Sequence, residues 1–309
     1  MITQVRGIRL GHFTHLRALT GCTVILPPPA TVGSVFIPGN APATRETDAI
    51  QPGRRVLHVD AVLLTGGSAF GLGAANGVMR WLEERGIGHP APAGPVPIVP
   101  TAAIYDLTLG DAATRPDDGD AYAACDDASE TNELQGNVGA GTGATVGKTA
   151  GFENMSKGGL GQDSAWSGAL VVGALAVVNS VGDVVEEDGS VIAGARAEPL
   201  PMPTDAARDH TTIACVATNA RLGKEGARAV AEMASTGIAR ATRPSFTMWD
   251  GDTVFALATG AVDADAERVG ALAADVLARA IRNAARAASD AGGVPARGRR
   301  AGLPQGDVR

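Results

Sequence analysis

Residues 207–222, ARDHTTIACVATNARL, set a hydroxyl at the head of an apolar run. A charged loop ends in His210, and Thr211 and Thr212 then open a stretch of Ile, Ala and Val. Threonine at a strand start can be ordinary β-propensity. The other reading is that the backbone is cut before Thr211, which becomes an N-terminus. An alcohol is a weak nucleophile until a base removes its proton. A freed α-amino group, with a pKa of about 7.7–8.0, supplies that base on the same residue. To reach this state Thr211 must attack the His210 carbonyl, and the resulting ester must hydrolyse. Such a step needs a well-held peptide, an oxyanion donor and a group that orients the hydroxyl.

Two glycine-rich stretches invite phosphate chemistry instead. LLTGGSAFGLGAANG follows an apolar run, but the third position of a dinucleotide fingerprint falls on Asn76 after Gly71 and Gly73. Close helix packing is the stronger reading there. GAGTGATVGKT ends like a phosphate loop, yet the required first glycine is Thr142, flanked by Gly141 and Gly143. The residues after Lys148 read as further loop where a helix is required.

The elements that would position these groups follow from pattern. Apolar, β-branched runs bounded by Gly or Pro predict strands over 22–26, 34–37, 61–65, 170–178, 211–218 and 253–258. The run 168–185 reads as paired buried strands. Periodic apolar positions predict helices over 69–85, 224–236 and 266–288. In the first, Gly73 and Gly77 predict a face pressed against another backbone. Residues 1–291 read as one domain, and the Gly-, Pro- and Arg-rich stretch 292–309 as a disordered tail.

Composition narrows the classes. Charged residues are 19% and the net charge is −7, which argues against a nucleic-acid or anionic-membrane partner. No run reaches the ~18 apolar residues of a membrane span. MITQVRGIRL has no apolar signal core, so the cytoplasm is expected. Cys22, Cys125 and Cys215 show neither a disulfide framework nor metal spacing, and no metal or cofactor is expected.

Several motifs together resemble the L-aminopeptidase/D-amidase family, which includes β-peptidyl aminopeptidases and nylon-oligomer hydrolases. TTIACVATNARL resembles the start of that family's small subunit. PGNAPATRETD (38–48), residues 63–86, IVPTAAIYDL (98–107), GNVGAGTGATVGK (136–148), KGGLG (157–161), VVNSVGDVV (177–185) and WDGDTVFALAT (249–259) agree in the same order. The resemblance implies an αββα layered, self-processing hydrolase, cut between His210 and Thr211 into fragments 1–210 and 211–309. It also implies a homo-oligomer, a tetramer or larger, acting on short peptides, amino-acid amides, β-peptides or ω-amino-acid oligomers.

By the same resemblance Thr211 is the nucleophile, and Asp250 and Asp252 are the paired carboxylates that orient it. Asn179 is the oxyanion amide, Tyr105 a site-lining donor, and Lys148 a nearby cation. Each also has a plainer reading from its residue type: a solvated turn for both aspartates, a cap or bulge for Asn179, core packing for Tyr105, a solvated lysine for Lys148. The sequence departs from the family at His210, where Asn or Gly is usual. The attacked carbonyl is backbone, so His is chemically allowed, but its side chain must be housed. Three other functions stay open at this point: acetyl transfer on a related fold, a nucleotide-binding oxidoreductase using 66–73, and an uncut binding homologue.

Overall fold

The structure, a computed structural model, describes residues 1–198 and 210–296. Its strands are β1 (Arg9–His15), β2 (Thr20–Leu26), β3 (Val32–Phe36), β4 (Thr44–Arg45), β5 (Val62–Thr65), β6 (Thr101–Ala103), β7 (Thr145–Val146), β8 (Ser156–Lys157), β9 (Gly159–Ser167), β10 (Leu170–Asn179), β11 (Asp183–Val185), β12 (Val191–Ala193), β13 (Thr211–Ala220), β14 (Thr242–Arg243) and β15 (Thr253–Val262). The helices are α1 (Ser68–Gly71), α2 (Ala75–Glu83), α3 (Asp118–Asp126), α4 (Lys224–Ala241) and α5 (Ala266–Ala287).

Two five-stranded sheets face each other, ordered β1-β2-β5-β6-β4 and β3-β15-β13-β10-β9. Side chains of alternate residues leave a strand on opposite faces. Leu175 and Val177 of β10, with Ile213, Cys215 and Ala217 of β13, therefore meet Leu10, Ile25, Val62 and Leu64 between the sheets. The intervening Ala174, Ala176, Ala214 and Val216 face α4 and α5. On the outer side of the first sheet, α2 and α3 bury Val78, Leu82 and Ala121 over Val24 and Leu63. The order is helix, sheet, sheet, helix, as the resemblance implies. The three cysteines are unpaired and buried in these layers, which fits core thiols.

Several local expectations change. The helix expected over 69–85 is broken into α1, a 3-10 turn at Leu72–Ala74, and α2. A Cβ on Gly77 would lie 1.8 Å from the Asp118 carbonyl oxygen, so this glycine does press against another backbone. Gly73 meets nothing within 4 Å and does not. The run 168–185 holds two buried strands, β10 and β11, paired with other strands and not with each other. β10 pairs with β9 and β13, whereas β11 joins a small sheet with β12 and β14. The expected tail begins too early, because Val294 and Ala296 are buried and Pro295 O accepts a bond from Lys157 N. Residues 297–309 lie outside the described residues. No helix among the described residues is long and apolar enough to cross a membrane.

Candidate active site

Thr211 is the first residue of β13, and in the antiparallel register it stands directly opposite Asn179, the last residue of β10. Both share the parity of Leu175, Val177, Ile213 and Cys215, so both side chains enter the space between the sheets. Thr211 is only 5% exposed. Its Oγ1 donates to the His210 carbonyl oxygen at 2.5 Å, so the hydroxyl lies against the peptide before it. A second donor, the Gly251 N–H, reaches the same oxygen at 2.7 Å. His210 N–H in turn donates to the Trp249 carbonyl at 3.2 Å, in a parallel bridge between His210 and Asp250. The peptide is thus held from both sides.

Gly251 was missed by sequence reasoning because its contribution is backbone alone. A Cβ there would lie 2.8 Å from Thr211 Oγ1 and 2.5 Å from the Ala41 carbonyl oxygen. No larger residue fits between the nucleophile and that loop without displacing one of them.

Asp250 and Asp252 are brought in by β15, which runs parallel to β13 with Thr253 beside Ile213. Both are buried, so the solvated-turn reading does not hold. Asp252 Oδ1 accepts the Thr212 N–H at 2.6 Å, and Asp250 Oδ2 accepts the Thr247 N–H at 2.7 Å. The PGNA loop braces this segment, with Gly39 N–H on Asp252 O and Ala41 N–H on Asp250 O. Burial raises both carboxyl groups above the usual range, Asp252 well above it, where the charge of Asp250 adds to the effect of burial. Two close carboxyls in a dry site favour holding one proton between them.

Lys148 is fully buried, so it is not a solvated lysine. Its Nζ donates to Thr145 O, Asn179 O and Asn179 Oδ1, each at 2.9 Å. Burial lowers its pKa to about 7, while Asp250 opposes the shift. Three acceptors match the three protons of an ammonium group, and that geometry favours the charged form. Asn179 is fixed at both ends of its amide: Oδ1 by Lys148 and the Thr145 N–H, Nδ2 by the Tyr105 carbonyl at 3.0 Å. Tyr105 therefore reaches the cluster through its main chain, where the sequence pointed to its phenol.

Asp106, the next residue, also escaped sequence reasoning. Its Oδ1 accepts the Gly67 N–H at 2.7 Å and its Oδ2 accepts the Thr20 hydroxyl at 2.7 Å. A Cβ on Gly66 would lie 2.2 Å from Asp106 Oδ2. The glycine-rich turn that resembled a dinucleotide loop thus has one of its N–H groups on the chain's own carboxylate, which removes the support for a nucleotide there. The 139–148 stretch forms a 3-10 turn and then β7, without the helix a phosphate loop requires. A second buried lysine, Lys157, donates to Ala144 O at 2.5 Å, and burial lowers it to about 7 against the pull of Asp106. Two surface clefts of about 510 and 440 Å³ contain none of these groups; ion pairs such as Arg240–Asp275 and Arg286–Glu186 line them.

Comparison with known proteins converges on the same architecture. The family model for peptidase family S58 matches residues 1–299. The chain is 41% identical to an uncharacterised aminopeptidase of Mycobacterium leprae, over 95% of this chain and 92% of that one. It is 30% identical to a 6-aminohexanoate-oligomer endohydrolase of Paenarthrobacter ureafaciens, over 83% of this chain and 74% of that one. In fold it matches a Burkholderia sp. beta-aminopeptidase with TM-score 0.74 and 22% identity, covering 96% of this chain and 90% of the other. It also matches an L-aminopeptidase D-Ala-esterase/amidase from Ochrobactrum anthropi, described as a variant of the Ntn hydrolase fold, with TM-score 0.74, 22% identity, and coverage of 96% and 88%. The chain belongs to peptidase family S58 and is a hydrolase of peptide or amide bonds.

Proposed function

We propose that this hydrolase is made as a precursor, cuts itself between His210 and Thr211, and then uses the new N-terminal threonine to hydrolyse amides. The observation that carries this reading is the pair of bonds on the His210 carbonyl oxygen, from Thr211 Oγ1 at 2.5 Å and Gly251 N–H at 2.7 Å. Rotation about χ1 turns the Thr211 oxygen from donor to attacking group. The Oγ–C bond forms, the C–N bond breaks, and the hydroxyl proton passes to the departing Thr211 nitrogen. Water then hydrolyses the ester and leaves a carboxylate on His210. Gly251 N–H stabilises the oxyanion in both steps, a role worth about 10²–10³ in rate for one donor.

In the cut protein the Thr211 amine takes the hydroxyl proton as Oγ1 attacks a substrate carbonyl. That proton leaves with the amine product, and water releases the acyl group. Asp252 holds Thr212 N–H, one residue from this amine, and its Oδ2 is buried without a hydrogen-bond partner among the described residues. In this reading it holds the new ammonium. Lys148 keeps Asn179 facing Thr211, and Tyr105 holds the Asn179 amide. The substrates are short peptides, amino-acid amides, β-peptides or ω-amino-acid oligomers, consistent with the names of the relatives.

The test is hydrolysis of amino-acid and β-amino-acid anilides by purified wild type, with Thr211→Ala as control. Activity that disappears in the variant supports the reading. A cut wild type inactive on every amide, or a fully active Thr211→Ala, overturns it.

A further inference from the structure

We propose that the chamber occupied by the His210 side chain is the pocket for the acyl residue of the substrate, with Phe152 as its wall. The pocket then selects amino-terminal residues bearing a flat ring. This inference rests on the cleavage reading above and names the substrate class of that same site.

Self-cleavage and turnover pass through the same kind of ester. In the first, His210 is esterified to Thr211 Oγ1; in the second, the amino-terminal residue of the substrate is. Both esters must present their carbonyl oxygen to the same donor, the Gly251 N–H, which already lies 2.7 Å from the His210 oxygen. The second anchor is also in place. His210 N–H donates to the Trp249 carbonyl at 3.2 Å, and a substrate ammonium at that position would do the same. Once the carbonyl and the nitrogen on one Cα are fixed, chirality fixes the direction of its side chain. For an L residue that direction is the chamber holding His210.

His210 is fully buried. The Phe152 ring lies 6.1 Å from the imidazole, centroid to centroid, at 47°. That spacing suits paired aromatic rings. Phe152 is held firmly: Leu109, Met155 and Val294 pack around it, and Arg196 binds the carbonyls of Glu153 and Met155 on its turn.

The test compares kcat/KM of the cut enzyme for the p-nitroanilides of L-His, L-Phe, D-Phe, L-Ala and β-Ala, in wild type, Phe152→Ala and Phe152→Leu. Phe152→Leu retains an apolar side chain toward Leu109 and Met155 and so separates loss of the ring from loss of folding. The expected result is a preference of about tenfold for L-His and L-Phe over L-Ala in wild type, the scale of one aromatic contact. Both variants should reduce that ratio to near one, and D-Phe should be a poor substrate throughout. A ratio that is the same in wild type and both variants overturns the pocket, as does a wild type that prefers L-Ala or β-Ala. A cut enzyme that hydrolyses no amide overturns the proposed function together with the pocket, whereas a flat profile in an active enzyme removes the pocket alone.

Discussion

The backbone N–H of Gly251 points at the carbonyl oxygen of His210 from 2.7 Å, on the peptide that Thr211 would attack. No side chain is involved, yet this contact supplies the donor an acyl-transfer step needs most. It depends on a residue with no Cβ, because Thr211 Oγ1 and the Ala41 carbonyl occupy the space one would take.

Gly251→Ala should therefore fold less stably, by about 1–3 kcal/mol of overpacking. It should cut itself at least about a hundredfold more slowly as the N–H is displaced. Gel time courses and thermal melts check this; wild-type cutting in the variant would show that Gly251 is not the donor.

Asp252→Asn should change stability in a pH-dependent way. The folded-state pKa of Asp252 lies well above its ordinary 3.8. The protonated group favours the fold, and that contribution is complete below the unfolded value and lost as pH rises toward the folded one. Asn does not ionise, so the variant should gain on wild type as pH increases from about 4. Melts in a Thr211→Ala background at pH 5 and pH 8 measure it. A difference independent of pH would contradict the buried, protonated carboxyl.

Lys148→Met should leave Thr145 O and Asn179 O without their ammonium, while Asn179 Oδ1 keeps only its bonds from Thr145. Each stranded buried acceptor costs about 1–3 kcal/mol, offset in part by removal of a buried charge. Freed from Lys148, Asn179 should hold its position poorly, and cutting should slow by at least about tenfold. Unchanged cutting in a stable variant would remove Lys148 and its grip on Asn179 from the mechanism.

Gly77→Ala and Gly73→Ala separate packing from ligand binding in the glycine-rich stretch. A Cβ at 77 meets the Asp118 carbonyl at 1.8 Å and should destabilise, whereas one at 73 meets nothing within 4 Å. Gly73→Ala should be neutral or stabilising by up to about 1 kcal/mol. Thermal melts distinguish them, and equal losses at both positions would contradict the packing account.

Much of the site was legible because its side chains sit in ordered motifs. Thr211, Asp250, Asp252, Asn179 and Lys148 fall together in the fold. Their juxtaposition depends on β13 lying between β10 and β15, and strand order was not readable in the sequence. What was missed is mainly main-chain chemistry. Gly251 acts through an N–H and Tyr105 through a carbonyl, and residue type signals neither. Asp106 left a faint trace, an aspartate beside Tyr105 in the motif IYDL, but its partner Gly67 is distant in sequence. α3 was missed because DGDAYAACD has little apolar periodicity; an Asp117–Asp120 capping box starts it. The helix over 69–85 was overextended because its glycines allow the chain to tighten into a 3-10 turn at Leu72–Ala74.

The most direct test of the central claim is intact-mass analysis with N-terminal sequencing of purified wild type and Thr211→Ala. Self-cleavage predicts two wild-type fragments, the smaller beginning Thr-Thr-Ile-Ala, and a single 31.1 kDa chain in the variant. Active wild type that stays one full-length chain, or a Thr211→Ala variant cut at the same bond, would contradict it.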